Sequence, residues 1–389
     1  MILPSVLVFL AFVYVGIMFA YIHGWQAMPE WALPTGYEPE NRVTVVIAAR
    51  NEAGNILDCL NSILNGAYPA KLLQIIVVDD FSDDETAGLV AGYISKKAHH
   101  SPDIQLLQLE KSLPPERRFR ANKKKAIELA VAQASGSIIV STDADCWVPT
   151  DWLMLLVSRF EAQPKLAILA APVVIHRERN VLQRFQSLDF LGMMGITAAG
   201  IQLGWHRMGN GANLSYRKDA FLAVDGYAGN EQIASGDDMF LMQKMAERWP
   251  GCVGFLKNSQ AAVRTEAMPN WSGFWQQRLR WGSKNAGMRE WPIRLILLAV
   301  WMFCMGIWVS GLLCLLGYFS WQVLVFQVFA KMFGDWLLLK EMCGYFGRRD
   351  LMRWFLPSFL IHTGYIAFAG LGSLMFEKYR WKGREVASS

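Results

Sequence analysis

The chain has 389 residues, enough for one large domain or two ordinary ones, with 53% hydrophobic residues, 16 Trp and a formal charge of +5. The apolar residues are concentrated at the two ends, which excludes a uniformly soluble protein and leaves a middle region patterned like an ordinary α/β domain. The basic excess flanks the apolar ends and forms no aromatic-interleaved stripe, so no nucleic-acid partner is expected.

Residues 1–24 open with "MILPSVLVFLAFVYVGIMFAY", about the length that spans a bilayer core. No basic side chain precedes it and its apolar core is long, which favours a retained anchor over a cleaved signal peptide. Residues 25–41 read as a linker. From residue 42, apolar runs alternate with segments of helical period. "VTVVIAA" is a buried strand, followed by a helix carrying Ile56, Leu57, Leu60 and Ile63. "LQIIVVDD" and "DIQLLQL" are further strands, "NKKKAIELAVAQA" is a helix, and "SIIVSTD" and "LAILAAPVVI" are the next strands. Such alternation predicts a largely parallel sheet covered on both faces, over residues 42–265. No internal repeat or low-complexity segment interrupts it.

Ligands of such sheets bind beyond the carboxyl ends of the strands. Polar clusters stand at those ends: Arg50, Asn51 and Glu52 after one strand, Asp79 and Asp80 after another, Asp143 and Asp145 after a third. Asp143 and Asp145 flank a single alanine, and two like charges this close need a cation or a strong hydrogen-bond network between them. Taken alone, "DDFSDDET" reads as a turn with a helix cap, and Asp238 as a helix-start residue. Clusters at several strand ends that the fold would gather on one edge point instead to an active site. "GNGAN" does not open a helix after a strand and no Walker-type loop is present, which excludes dinucleotide-binding and P-loop readings.

Residues 266–293 contain "FWQQRLRWGSK", an amphipathic interfacial helix with Trp271, Trp275 and Trp281 at headgroup level. Residues 294–376 hold apolar blocks at Leu295 to Phe319, about Val323 to Cys343, and Phe355 to Phe376. The first and last are uncharged and read as spans. The middle one carries Lys331 and Asp335, and is either a span with a buried Lys–Asp contact or an interfacial or re-entrant helix. Two or three spans are therefore expected here. Lys and Arg placement (Arg42, Arg50, Arg278, Arg280, Lys284, Arg289, Arg294) puts the middle region in the cytoplasm, together with the loop holding Arg348, Arg349 and Arg353. The basic tail, residues 377–389, conflicts with three C-terminal spans, which would carry it outside. The six Cys form no Cys-x-x-Cys pair, which suits a reducing compartment, and the six His show no ligand spacing.

The ordered motifs "AARNEAGNI", "VVDDFSDDET", "STDADCWVP", "SGDDMFL" and "QQRLRW" resemble the membrane-integrated family 2 glycosyltransferases. That family includes cellulose, hyaluronan and poly-N-acetylglucosamine synthases and ceramide glucosyltransferases. The resemblance covers roughly residues 40–285 and implies a GT-A fold, the Rossmann-like α/β domain of nucleotide-diphospho-sugar transferases, with transmembrane helices at both ends. It implies that Asp80 binds the nucleotide base, usually uracil, with Asn51 and Glu52 in the first nucleotide-binding loop. Lys123, with Lys124 beside it, would face the diphosphate. Asp143 and Asp145 would hold Mg2+ or Mn2+ against that diphosphate. Asp238 would be the general base, Gln277, Arg280 and Trp281 the Q-x-x-R-W group. Gly236-Asp237-Asp238 stands where Thr-Glu-Asp is commonest, which puts the Thr and Glu contributions in doubt. The tail "WKGRE" looks like tails of some lipid-modifying members.

The implied chemistry is inverting transfer from a UDP-sugar at the inner face of the plasma membrane, forming a β-linkage. The acceptor is a lipid or lipid-linked glycan, or a growing polysaccharide in a processive synthase. A non-catalytic nucleotide-sugar-binding module is the remaining alternative.

Overall fold

The computed structural model describes residues 2–97, 102–112, 122–229, 236–282, 290–375, 378–381 and 384–387, with side chains up to residue 370. Lys284, Arg289, His99, His100, Lys382 and Gly383 lie outside the described residues. In chain order the strands are β1 Val43–Ala49, β2 Leu73–Asp79, β3 Asp103–Gln108, β4 Ile138–Asp143, β5 Ile168–Ala170 and β6 Val173–His176. They continue with β7 Leu214–Arg217, β8 Val253–Phe255, β9 Val263–Glu266, β10 Lys378–Trp381 and β11 Arg384–Ala387. The helices are α1 Ile2–Ala27, α2 Ile56–Leu64, α3 Thr86–Lys96, α4 Leu109–Ser112, α5 Asn122–Gln133, α6 Trp152–Ala162 and α7 Val181–Gln202. After these come α8 Lys218–Ala223, α9 Asp237–Arg248, α10 Trp271–Gly282, α11 Trp291–Leu315, α12 Trp321–Tyr345 and α13 Phe355–Met375.

The main sheet runs β3-β2-β1-β4-β7-β5-β8. β1 pairs in parallel with both β2 and β4, and all of β2 is buried, as its unbroken Val/Ile run requires of a strand covered on both faces. Successive side chains divide between two cores. Val45, Ile47, Ile75 and Val77 meet α2 and α6, whereas Val46, Ile76 and Val78 meet α5 and α7. The parallel register sets Ala49 opposite Asp79 and Ala48 opposite Asp143, so the polar residues beyond these strands emerge on one edge.

The expected parallel pattern is modified in two places. β7 enters between β4 and β5 and is antiparallel to both. The segment "LAILAAPVVI", expected as one strand, is two: β5 stays in the main sheet, and β6 pairs with β9 in a second, two-stranded sheet. Pro172 lies between them and has no N–H to continue a ladder. The strands also approach closely where β1 starts. A Cβ on Gly136 would stand 2.5 Å from the Thr44 nitrogen and 2.6 Å from the Val43 carbonyl carbon. Neither is a side-chain tip that can turn away. Gly136→Ala is therefore expected to cost about 1–3 kcal/mol, seen as a lower unfolding temperature of the detergent-solubilised protein.

Among the described residues, α1, α11 and α12 are long and apolar enough to cross a membrane. Their core is continuous with that of the α/β domain: Leu10, Tyr14, Phe303, Ala330 and Leu338 belong to the same buried cluster as Val46 and Ile76. α7 is the connecting element, buried along most of its length and in contact with α1, α12 and α13. Lys257 fixes the end of α1, donating to the Trp25 carbonyl at 2.7 Å and the Met28 carbonyl at 3.0 Å. A cation there suits the negative end of a helix.

α12, the block that carries charges, is thus a full span candidate. Its Lys331 is completely buried, 2.5 Å from Asp335. α13 packs against α7, α10 and α11. The loop before it is bound to the catalytic domain through Arg348, which pairs with Glu178 at 3.0 Å and donates to the Ile175 carbonyl at 3.3 Å. Trp308 donates to the Thr363 carbonyl and Trp301 to the Ala367 carbonyl, so α13 runs antiparallel to α11. β10 packs against α10.

Candidate active site

A cavity of about 390 Å³ opens at the carboxyl edge of the sheet. Glu52, Asp80, Lys123, Asp143, Asp145, Asp238, Gln277, Arg280 and Trp281 all line it. Asn51 and Lys124 stand outside that lining. Asn51 takes a left-handed backbone (φ 52°) and ties two loops together, its nitrogen donating to Ser82 Oγ at 3.0 Å and its Oδ1 accepting from Asp83 N at 2.8 Å. Lys124 is buried, its ammonium 4.8 Å from the centre of the Phe240 ring.

The first wall comes from the loops after β1 and β2. Arg50 donates to the Asp80 carbonyl at 2.8 Å and pairs with Asp83 at 3.2 Å, locking one loop over the other. Asp80 is 2% exposed, with Asn122 Nδ2 donating to its Oδ1 at 2.9 Å. A side chain so held is preset for directional recognition.

The second wall gathers charge. Lys123, on the first turn of α5, reaches Asp143 Oδ1 at 2.7 Å and Asp237 Oδ2 at 3.7 Å. Burial works against the ammonium, but Asp143, Asp237 and Asp238 outweigh it and raise the Lys123 pKa above the ordinary lysine value. The folded value is the higher one, so the stabilisation is complete below about pH 10.4 and is lost only as pH rises through the folded pKa. Lys123 therefore keeps its charge at any pH where the enzyme would work.

Asp237 and Asp238 sit in the first turn of α9, where the helix dipole favours carboxylates. Asp238 is 5% exposed and its Oδ1 accepts from Met239 N at 2.8 Å. Gly236 precedes them with φ 82°, a conformation that a β-branched Thr strongly disfavours. The unusual Gly-Asp-Asp thus has a backbone cause. Gly211 faces the same group: a Cβ there would lie 3.1 Å from Asp237 Oδ2 and 3.3 Å from Lys123 Nζ. Gly211→Ala is expected to displace that pair by tenths of an ångström and raise the donor KM by up to about tenfold in steady-state assays.

α10 forms the third wall. Gln277, Arg280 and Trp281 follow helical spacing and share the face toward the cavity. Phe274 and Arg278 are the buried residues of this helix and lie outside the cavity lining. Beyond these groups the cavity becomes apolar, with Phe190, Met193 and Met194 of α7, Met208, and Leu297 of α11.

Several lining residues were not singled out from the sequence as site candidates: Asn210, Gly211, Asp237, Thr265 and Glu266. "GNGAN" was legible only as a failed dinucleotide motif. Its role is architectural, with Asn213 accepting from Trp152 Nε1 at 2.9 Å and donating to the carbonyls of Pro172 (2.6 Å) and Ala261 (2.9 Å).

The donor set suits a hard divalent cation. Asp143 and Asp145 supply carboxylate oxygens on one side of the cavity, and the Lys123 ammonium at 2.7 Å already marks this spot as one that takes positive charge. Among the described residues no group of three His, Cys, Asp or Glu side chains is arranged to hold a metal alone, so further ligands would come from substrate and water.

The fold is that of a GT-A domain, with its cavity at the carboxyl edge of the sheet. The sequence matches Glycosyl transferase family 2 over residues 44–223 and Glycosyl transferase family group 2 over residues 138–357, and the chain belongs to this family. It is 26% identical over 288 residues to the poly-beta-1,6-N-acetyl-D-glucosamine synthase of Staphylococcus epidermidis, covering 71% of this chain and 64% of that one. The Staphylococcus aureus synthase is 26% identical over 242 residues, covering 61% and 53%. The chain thus spans less than two thirds of the length of these curated relatives. A similar fold occurs in the mannosyltransferase PcManGT from Pyrobaculum calidifontis, solved with GDP-Man and Mn2+ (TM-score 0.60, 20% identity, covering 96% of this chain and 99% of that one).

Proposed function

We propose that the protein is an inverting glycosyltransferase that moves a sugar from a UDP-sugar to a lipid or lipid-linked acceptor at the cytoplasmic face of the plasma membrane. One observation carries the reading of the acceptor: the cavity is continuous from the Asp143–Asp145 pair to Leu297 on α11, an element long and apolar enough to span a bilayer. A sugar-diphosphate at the charged end and an apolar chain at the other match that division.

In this reading Asp80 and Glu52 hold the nucleoside. Lys123 and Arg280 stabilise the charge that develops on the leaving diphosphate. Asp143 and Asp145 would hold Mg2+ or Mn2+, which supplies further neutralisation of that charge. Asp238 takes the proton of the acceptor hydroxyl as its oxygen bonds to the anomeric carbon and the carbon–diphosphate bond breaks. Attack opposite the leaving group inverts the centre, so a UDP-α-sugar yields a β-linked product.

A second reading, a processive polysaccharide synthase, is favoured by the similarity to poly-beta-1,6-N-acetyl-D-glucosamine synthases. Among the described residues, α1, α11 and α12 are the helices long and apolar enough to cross a membrane, few for a pore built by one chain. UDP release should be measured in membranes across a panel of UDP-sugars with Mg2+ or Mn2+ and candidate acceptors, with the product sized. A single-sugar lipid is the expected product; a ladder of long chains would replace the lipid reading with the processive one.

A further inference from the structure

α10 offers its motif residues to the cavity, and from the adjoining Arg278 a chain of polar contacts leads away into the other helices. Arg278 is 5% exposed, and its guanidinium lies 4.3 Å from the centre of the Trp281 ring, which itself lines the cavity. The same guanidinium reaches Asp189 Oδ2 on α7 at 2.6 Å, an ion pair lying off ideal hydrogen-bond alignment. Asp189 Oδ1 faces His362 Nε2 on α13 at 3.7 Å. His362 Nδ1 is 3.1 Å from Lys331 Nζ on α12. Lys331 pairs with Asp335 at 2.5 Å, and Asp335 accepts from the Tyr14 hydroxyl on α1.

The order of these groups is chemically consistent. Lys331 has only donors, so His362 accepts at Nδ1, which puts its N–H at Nε2 toward Asp189. Two cations and two carboxylates balance around a neutral imidazole. Burying such groups is expensive, and apolar side chains of similar size would serve packing as well or better. Retaining them makes sense where direction matters, because a charged contact fixes a side chain in a way that apolar packing does not.

We propose that Arg278, Asp189, His362, Lys331 and Asp335 form a buried positioning chain by which the membrane helices hold α10, and with it Trp281 and Arg280, in register with the catalytic cavity. The proposal rests on the reading of α10 as an active-site element. None of the five touches the reacting groups; they act through α10.

The test uses the full chain in detergent or nanodiscs, with two readouts. Asp189→Asn should lower kcat for UDP release on the order of ten- to a hundredfold while leaving the donor KM within about twofold, because misplacement of α10 affects the reacting geometry more than nucleotide binding. Lys331→Met with Asp335→Leu replaces the buried pair by apolar side chains and should fold with an unfolding temperature near that of the parent. It should nevertheless lose kcat, and it should show faster backbone hydrogen exchange across residues 271–282. A double variant with parental kcat and unchanged exchange there would overturn the proposal, since the chain would then serve packing alone. If the parent releases no UDP from any donor, the functional reading fails, and the exchange of α10 still decides the positioning chain.

Discussion

Asp238→Asn is expected to lower sugar transfer by about 10²–10⁴-fold while the donor still binds. The substitution is isosteric and keeps an amide oxygen that accepts from Met239 N, so the first turn of α9 retains its internal bond. What it removes is the ability to take a proton. Nucleotide binding depends on other walls, Asp80 and Glu52 on the strand loops and Lys123 on α5, and should remain. The measurement is single-turnover transfer beside equilibrium UDP binding. Near-parental transfer would mean that another group is the base, and Asp237, one residue away in the same cavity, would be examined next.

Asp145→Ala is the second large effect, with an expected fall in kcat of about 10²–10³-fold and a rise in the metal concentration giving half-maximal rate. Asp143 is a less clean target, because it also pairs with Lys123 at 2.7 Å and its removal alters the lysine as well. Titrating Mg2+ and Mn2+ against UDP release for the parent and Asp145→Ala separates a metal ligand from a structural carboxylate. An unchanged metal requirement would remove Asp145 from the assignment. Ala144 is buried between the two, so the pair turns toward the cavity around a small side chain that leaves room there.

The pattern of apolar runs was enough to locate β1, β2 and β4, because a strand buried on both faces needs continuous apolar residues, and the shorter run of the edge strand β3 was legible beside them. The polar residues after those strands marked the cavity edge, and parallel register brought them together as expected. The missed elements share a cause. β7 is four residues long and antiparallel, and β5 and β6 are separated by one proline. Short strands carry too little periodicity to be seen before their partners are known.

For the site, spacing on a helix sufficed to set Gln277, Arg280 and Trp281 on one face, since that depends only on helical period. Motif order supplied Asp80, Lys123, Asp143, Asp145 and Asp238. Motif order grouped Lys124 with Lys123, but neighbouring residues on a helix diverge by about 100°, and Lys124 points instead to Phe240. Gly211 likewise gains its meaning only from Asp237 and Lys123 across the cavity.

By itself the sequence determined the longer elements, the strand-end chemistry and the two apolar termini, because these depend on local periodicity and residue type. The tertiary structure decided which charges meet. Arg278, Asp189, His362, Lys331 and Asp335 come from four separate helices, and no local pattern links them. Their pairing exists only because α7 is buried between the catalytic domain and the membrane helices, where an unpaired charge would be too costly to keep.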